Sequence, residues 1–445
     1  MERSRHIEQY LSNFEAFERN LNGEASAEIH AVRKAAIKRF SELGFPTTRQ
    51  EDWKYTDITP LVNVQFAMLP AGGVPRVRVR DIETLSSGTG LQNYLVCVNG
   101  VFEEKISRTS ALPKGVRVGS LASALRDRDP LVRDHLARYA GFEDNSFTAL
   151  NTAFLRDGVF VHIPDAVVVD SPLHLVFVST QSESEFVTHP RNLIIAGKNS
   201  QAVVVERYVH LAGNRYFTNV VTELTLGENA SLEHDMIQLE SERAFHIGTL
   251  HAHLGRSSNF VSNNVSLGGA LVRNTITVVL DGEGGEATLN GLYTGRGDQV
   301  VDNHTTIDHA RPHCGSHELY KGILDGRSKG VFNGKIIVRK DAQKTDAKQT
   351  NKNLLLSDGA TIDTKPQLEI YANDVKCTHG ATTGQLDDES LFYMRSRGIP
   401  YGKAREMLID AFAIDVLDRV RTESVRQELQ RFLQERLVKI RRGGT

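Results

Sequence analysis

The chain has 445 residues, 40% of them hydrophobic and 24% charged, with a formal net charge of −2. One compact core stops growing at roughly 250–300 residues, so several domains or a stack of repeats is expected. A near-neutral balance supplies no basic field, which excludes non-specific nucleic-acid binding as the expected activity.

No run approaches the roughly 20 apolar residues that cross a bilayer. The opening MERSRHIEQYLSNFEAF is acidic from its second residue and lacks the apolar core of a secretory signal. A cytoplasmic protein with no membrane contact is expected. The three cysteines, Cys97, Cys314 and Cys377, are odd in number and far apart. Such spacing argues against a disulfide framework and fits a reducing compartment.

Residues 1–60 read as a helical region. Ile7, Tyr10, Leu11, Phe14, Phe17 and Leu21 recur at helical steps, and Ile29, Val32, Ile37, Phe40 and Leu43 resume after a break. Gly44 and Pro46 stop the second helix, because glycine accepts the left-handed C′ conformation and proline cannot continue. Residues 61–150 mix short strands with charged helical stretches, as a connecting or capping layer.

Residues 151–386 change character. Short β-branched runs recur, among them VFVHI, HLVFV, NLIIA, AVVVE, VVTELTL, TITVVL, GKIIV and QLEIYA. Turns led by Gly197, Gly227, Gly255 and Gly282 fall at a nearly constant interval, and Gly330 and Gly359 repeat it later. A repeated strand–turn unit of this extent predicts a mainly β solenoid, a β-sandwich being the alternative. Residues 387–445 return to helix. Asp387 and Asp388 are placed to cap the first of three helices. Ala404, Met407, Leu408, Ala411, Phe412, Leu417 and Val420 mark an apolar stripe, followed by Val425, Leu429, Phe432, Leu433, Leu437 and Ile440. Helices at a solenoid end are either solvated surface or a docking handle for another subunit.

The sharpest chemical constellation is DVKCTHGATTG, in which Cys377 and His379 are two apart. On a strand both side chains share a face, and a thiolate with an imidazole suits zinc, iron or an iron–sulfur species. Two ligands do not complete a tetrahedral site, and the plainer reading is a buried thiol beside a turn histidine. In HTTIDHARPHCGSH the dense His304, His309, His313, Cys314 and His317 match no standard zinc spacing, and structural or surface histidines are expected. A Cys314–His313 nucleophile is disfavoured, since neighbours on a strand face opposite ways. No Gly-Lys pair is followed by Ser or Thr, so no phosphate-binding loop for ATP exists. Arg296-Gly297-Asp298 and GEGGEATLNG read as turns.

Four strings, PTTRQEDWKYTDI, ELYKGILDGRSKGVFNGKIIV, TDAKQTNKNLLLS and DTKPQLEIYANDVKCTHGATTGQLDDESLFYMRSRGIPYGKAREMLIDAFA, resemble the SufB/SufD family of iron–sulfur cluster assembly proteins. The resemblance covers most of the chain and is weakest over 60–150. It implies a right-handed parallel β-helix with helical regions at both ends. It further implies a non-catalytic scaffold that pairs with a SufB-like paralogue through the β-helix and with the SufC-like ATPase through its C-terminal helices. Iron or an iron–sulfur cluster, transient and shared with the SufB-like partner, is the implied cargo, with His379 as this chain's ligand and Cys377 as a weaker one. The sequence leaves open whether the isolated chain forms a homodimer. TDAKQTNKNLLLS lacks the cysteine of SufB, and Gly380 stands where SufB is acidic, so the resemblance is to the SufD side. The rival readings are a secreted-type β-helix polysaccharide lyase or hydrolase and a stand-alone zinc protein built on His304 to His317.

Overall fold

The computed structural model describes residues 2–21, 27–69, 77–85 and 91–442. Two parallel sheets face one another along a solenoid of about eight turns. One sheet has eleven strands and the other ten among the described residues, and each pairs every second strand of the chain. From Arg191–Ala196 onward consecutive strands therefore alternate between sheets, and each coil lays one strand on each.

Backbone proximity at the corners explains the glycine spacing. Gly227 N donates to Ala196 O at 2.8 Å and Gly255 N to Leu226 O at 2.9 Å, tying each corner to the one before. A Cβ on Gly282 would lie 2.0 Å from Arg256 N, so this corner has no room for a side chain. The later pair differs from the expectation. Gly330 sits inside strand Lys329–Val338, and Gly359 stacks instead on Gly326, whose carbonyl oxygen a Cβ at 359 would meet at 2.7 Å. A second ladder runs beside the glycines. Asn199, Asn229, Ser257 and His313 adopt left-handed φ values of 55°, 58°, 52° and 59°. Each donates its N–H to the next coil, as in Asn199 N to Glu228 O at 2.9 Å. Among residues other than glycine, Asn, Asp and His are the ones most often found in this conformation.

The lumen holds the largest core cluster, including Leu175, Ile194, Val204, Leu224, Leu254, Phe260 and Leu280. It also holds polar groups in bonded sets. Fully buried Glu206 accepts from His234 Nε2 at 2.8 Å, Thr222 Oγ1 at 3.0 Å, Asn192 Nδ2 at 3.1 Å and the Tyr208 hydroxyl. Burying a carboxylate is tolerable only with partners of this kind.

Helices cover the outside. Glu2–Asn20 and Ala27–Leu43 pack Tyr10, Phe14, Ile37 and Phe40 with Phe45, Phe147, Phe154, Phe217 and Phe245 of the connecting region and first sheet. Gly44 closes the second helix with φ 63° and an N–H to Phe40 O at 2.8 Å. Strand Asn93–Val98, from the connecting stretch, adds to the second sheet alongside Leu173–Ser179. At the other end, Tyr401–Leu417 and Glu423–Arg442 lie on the outer face of the second sheet. There Ile409, Ala413, Val416, Leu429 and Leu433 meet Val205, Ile237, Val265, Leu292 and Ile323. Glu428 stands 2.7 Å from Arg207 beneath this layer, both buried. These helices are structural as well as terminal. The buried face of Tyr401–Leu417 is Ala404, Ile409, Ala413, Val416 and Leu417, while Met407 is 43% exposed. That helix is apolar nearly all round, so periodicity alone did not select its inner face. The side chains of Leu437 and Ile440 lie outside the described residues. No described helix is long and apolar enough to cross a membrane.

The segment PTTRQEDWKYTDI clamps the N-terminal region to the first sheet. The Arg273 guanidinium sits 3.7 Å from the Trp53 ring centroid, and Thr56 Oγ1 donates to Asp302 Oδ2 at 2.5 Å. Arg273 Nη1 and His304 Nε2 stand 2.5 and 3.0 Å from the same buried carboxylate. Burial opposes ionisation of Asp302, but Arg273 and His304 outweigh it and hold the carboxyl well below its usual range. A carboxyl depressed in the fold stabilises it above the unfolded pKa near 3.9, and that contribution fades as pH falls below it. The fluorescence of Trp53, the sole tryptophan, is therefore expected to keep its native value at neutral pH and to lose it below about pH 4. In Asp302→Asn the clamp should already be weaker at pH 7 by about 3 kcal/mol, read from urea unfolding of the Trp53 signal, because Arg273 is left buried without its counter-charge.

Candidate functional site

Strand Lys376–Gly384 ends the second sheet, and Thr361–Ile370 ends the first. Together they form the last coil. Parallel register fixes which side chains face the lumen here. His379 lies over Gln349, which lies over Glu318, and both lower residues are buried. Cys377 lies over Ala347 and Ser316, also buried. Cys377 and His379 thus belong to inward-facing columns whose outermost members have no coil above them among the described residues. His379 is exposed, and Cys377 is half-buried against the cluster of Ile336, Val338, Ala342 and Ala347.

Burial first, and the Asp346 charge second, push the Cys377 thiol upward. It is therefore a protonated thiol at neutral pH, and a metal would have to displace that proton to bind sulfur. Thiol and imidazole are a donor set suited to iron or an iron–sulfur species. Two donors do not close a site, and among the described residues no group of three or more His, Cys, Asp or Glu side chains is placed to hold a metal ion.

The column beneath His379 carries residues to which sequence reasoning gave no role. Gln349 Nε2 donates to Glu318 Oε2 at 2.7 Å, while Gln349 Oε1 is buried without a hydrogen-bond partner. A Cβ at Gly334 would sit 2.2 Å from Gln349 Nε2, so this glycine makes room for the amide. Burial pushes the Glu318 carboxyl up to about 7. The only signal in the sequence is the coil interval, about thirty residues from 379 to 349 and again to 318, which has meaning only once the register is known.

The second histidine cluster is dispersed by the fold. His304 stands beside Asp302 in the clamp, and His309 Nε2 meets Ser316 Oγ at 2.9 Å in the lumen. His313 occupies the left-handed corner ladder, and His317 is exposed. The Cys314 thiol points to the carbonyl oxygens of Gly282 and Pro312 at 3.3 and 3.5 Å, and burial raises its pKa. His313 and Cys314 precede strand Gly315–Leu324, so they are corner residues and do not form a nucleophile pair on a strand. Arg296-Gly297-Asp298 is a turn, with Gly297 at φ 58° and Asp298 bonded to Arg327 at 2.8 Å.

The C-terminal helices present a different feature. Asp387 caps Asp388–Ser396 by accepting from Ser390 N at 3.0 Å. On that helix Phe392 is 73% and Tyr393 60% exposed, with exposed Tyr401 following. Aromatic side chains gathered on a helical surface mark a contact face more often than solvated decoration.

Residues 177–412 match the family model described as SUF system FeS cluster assembly, SufBD core domain. Residues 4–175 match the SufBD protein N-terminal region. The chain is 35% identical over 409 residues to an iron–sulfur cluster assembly SufBD family protein of Synechocystis sp., covering 89% of each. It is 31% identical over 404 residues to the iron–sulfur cluster assembly protein SufD of Escherichia coli, covering 90% of this chain and 91% of that one. The Bacillus subtilis SufD is 28% identical over 321 residues, 71% of this chain and 72% of its own length.

A carboxyl whose folded pKa is raised weakens the fold as it ionises, so the penalty at Glu318 grows from about pH 4.3 up to about pH 7. Glu318→Gln is expected to melt like the parent at pH 4.5 and at a higher temperature at pH 8, as read by circular dichroism.

Proposed function

The chain belongs to the SufB/SufD family of iron–sulfur cluster assembly proteins, on its SufD side, and from that membership we propose that it is a non-catalytic scaffold subunit of a SufBCD-type complex. Its solenoid pairs with a SufB-like paralogue at the open last coil, and its C-terminal helices carry the SufC-like ATPase. Iron or a nascent iron–sulfur cluster is the shared cargo, held between the two solenoids with His379, and more weakly Cys377, contributed from this side.

The observation that carries the reading is the uncovered last coil. Its two strands end both sheets, leaving backbone N–H and C=O groups unpaired among the described residues, and such edges pair with another chain unless they are blocked. The two soft donors face the lumen side of that coil and make half of a site. The same edges support a homodimer when the paralogue is absent. ATP hydrolysis belongs to the ATPase partner in this reading, in keeping with a sequence that carries no phosphate-binding loop.

In this reading the ATPase meets the exposed aromatic face of Asp388–Ser396 and its continuation at Tyr401, while Tyr401–Leu417 and Glu423–Arg442 turn their inner faces to the second sheet. Removing the last two helices would strip a core, so point changes are the clean test.

In a reconstituted three-subunit complex, His379→Ala is expected to lower cluster formation at least tenfold, measured by the visible absorbance of the assembled cluster, with subunit association unchanged by gel filtration. Cluster formation at the parental rate would remove His379 from the site. Phe392→Asp together with Tyr393→Asp is expected to weaken ATPase binding at least tenfold by calorimetry while leaving the melting temperature of the isolated chain within about 2 °C. Unchanged affinity would place the contact on another face.

A further inference from the structure

At the opposite end of the solenoid from His379, a cavity of about 850 Å³ opens between the N-terminal helices and the first coils. Its volume falls in the range of about 300–1,000 Å³ typical of sites for small molecules. Phe17, Ile29, Met68, Leu125 and Phe154 supply apolar wall. Two deeply buried side chains in the same wall carry hydrogen-bond donors that meet no acceptor among the described residues.

The first is His189, 7% exposed and stacked on Phe154 at 5.2 Å with 14° between the rings. Its Nδ1 lies 3.1 Å from Asn219 Nδ2. That atom is the amide nitrogen, because it also donates to Phe147 O at 2.9 Å, so Nδ1 of the imidazole accepts. Burial pushes the His189 pKa down to about 3, so the ring is neutral and its single proton resides on Nε2. Nε2 has no hydrogen-bond partner among the described residues.

The second is Arg33, 3% exposed, whose Nε donates to Leu155 O at 2.8 Å and whose guanidinium lies 5.8 Å from the Phe17 ring centroid. Its Nη1 has no partner, and the guanidinium no ion pair, among the described residues. Burial lowers its pKa to about 10, which leaves it charged at neutral pH. Asp157 is the acid among the described residues of the wall, and its oxygens are engaged elsewhere. Oδ1 accepts from Ser120 Oγ and Ala122 N, and Oδ2 accepts from Phe102 N. Arg126 and Arg156 line the same cavity, so the wall carries an excess of positive charge.

A buried cation without a counter-charge and a buried N–H without an acceptor are both costly, and a ligand supplying an oxyanion would relieve both. We propose that this cavity binds a small molecule with an oxyanion head, received by Arg33 and His189, and a flat apolar body laid against Phe17 and Phe154. The site is independent of the last coil and of the cluster chemistry proposed there.

The test uses the full-length chain and two fluorescent probes, 8-anilinonaphthalene-1-sulfonate and its uncharged relative N-phenyl-1-naphthylamine. The sulfonate is expected to bind saturably at one site. Arg33→Met should weaken the sulfonate at least tenfold and leave the uncharged probe within twofold. His189→Phe, which keeps the stack and deletes the donor, should weaken the sulfonate about fivefold. Ala122→Trp, which fills the cavity, should abolish both, with circular dichroism confirming that each variant is folded. Absence of saturable sulfonate binding, an unchanged affinity in whichever of Arg33→Met and His189→Phe is folded, or binding that survives Ala122→Trp would each overturn the assignment.

Discussion

Everything in this molecule follows from the hydrogen-bonded stacking of one coil on the next at the spacing of adjacent strands, about 4.8 Å. At that distance equivalent positions of successive coils form columns, and each column must be chemically compatible along its length. The corners show the strictest version. Gly282 leaves no room for a Cβ because Arg256 N passes 2.0 Å from where it would be. Inside the lumen the same rule selects between columns of small residues, such as Ala347, Ser316 and Ala287 under Cys377, and polar columns whose neighbours hydrogen-bond, such as Gln349 and Glu318 under His379.

This constraint explains what was legible in the sequence. Corner glycines recur at the coil interval, and strands such as Val159–Ile163 and Leu271–Leu280 are rich in β-branched residues, so solenoid and helical ends could be read together. Strands Ser231–Leu239, Phe245–Leu254 and Asn259–Ser266 carry a weak strand signature because their lumen positions hold His234, His246 and Asn264 where apolar residues are the usual sign of a strand. Polar residues are stable there only through partners a full coil away, as Glu206 is for His234. The face buried by Tyr401–Leu417 was illegible for the opposite reason, since that helix offers apolar residues in almost every direction.

The candidate site was legible in the same partial way. Cys377 and His379 announce themselves by a two-residue step on a strand-like run, and no knowledge of the fold is needed to see it. Gln349 and Glu318 are invisible until the register places them below His379. Asp302 and Trp53 are 249 positions apart in the chain and become one clamp only when the N-terminal segment reaches the first sheet through Thr56 and Arg273. Long-range polar contacts of this kind follow from topology, and local pattern carries almost no trace of them.

The open last coil has a consequence for how firmly its residues are held. In a stack where each layer touches only its neighbours, local opening free energy is set by the number of neighbours, so a terminal layer is braced from one side while every interior layer is braced from two. His379 and Cys377 therefore sit on the layer that frays most readily. A second solenoid seated on that edge would add the missing neighbour, so capture of the partner and rigidification of the two donors would be a single thermodynamic event.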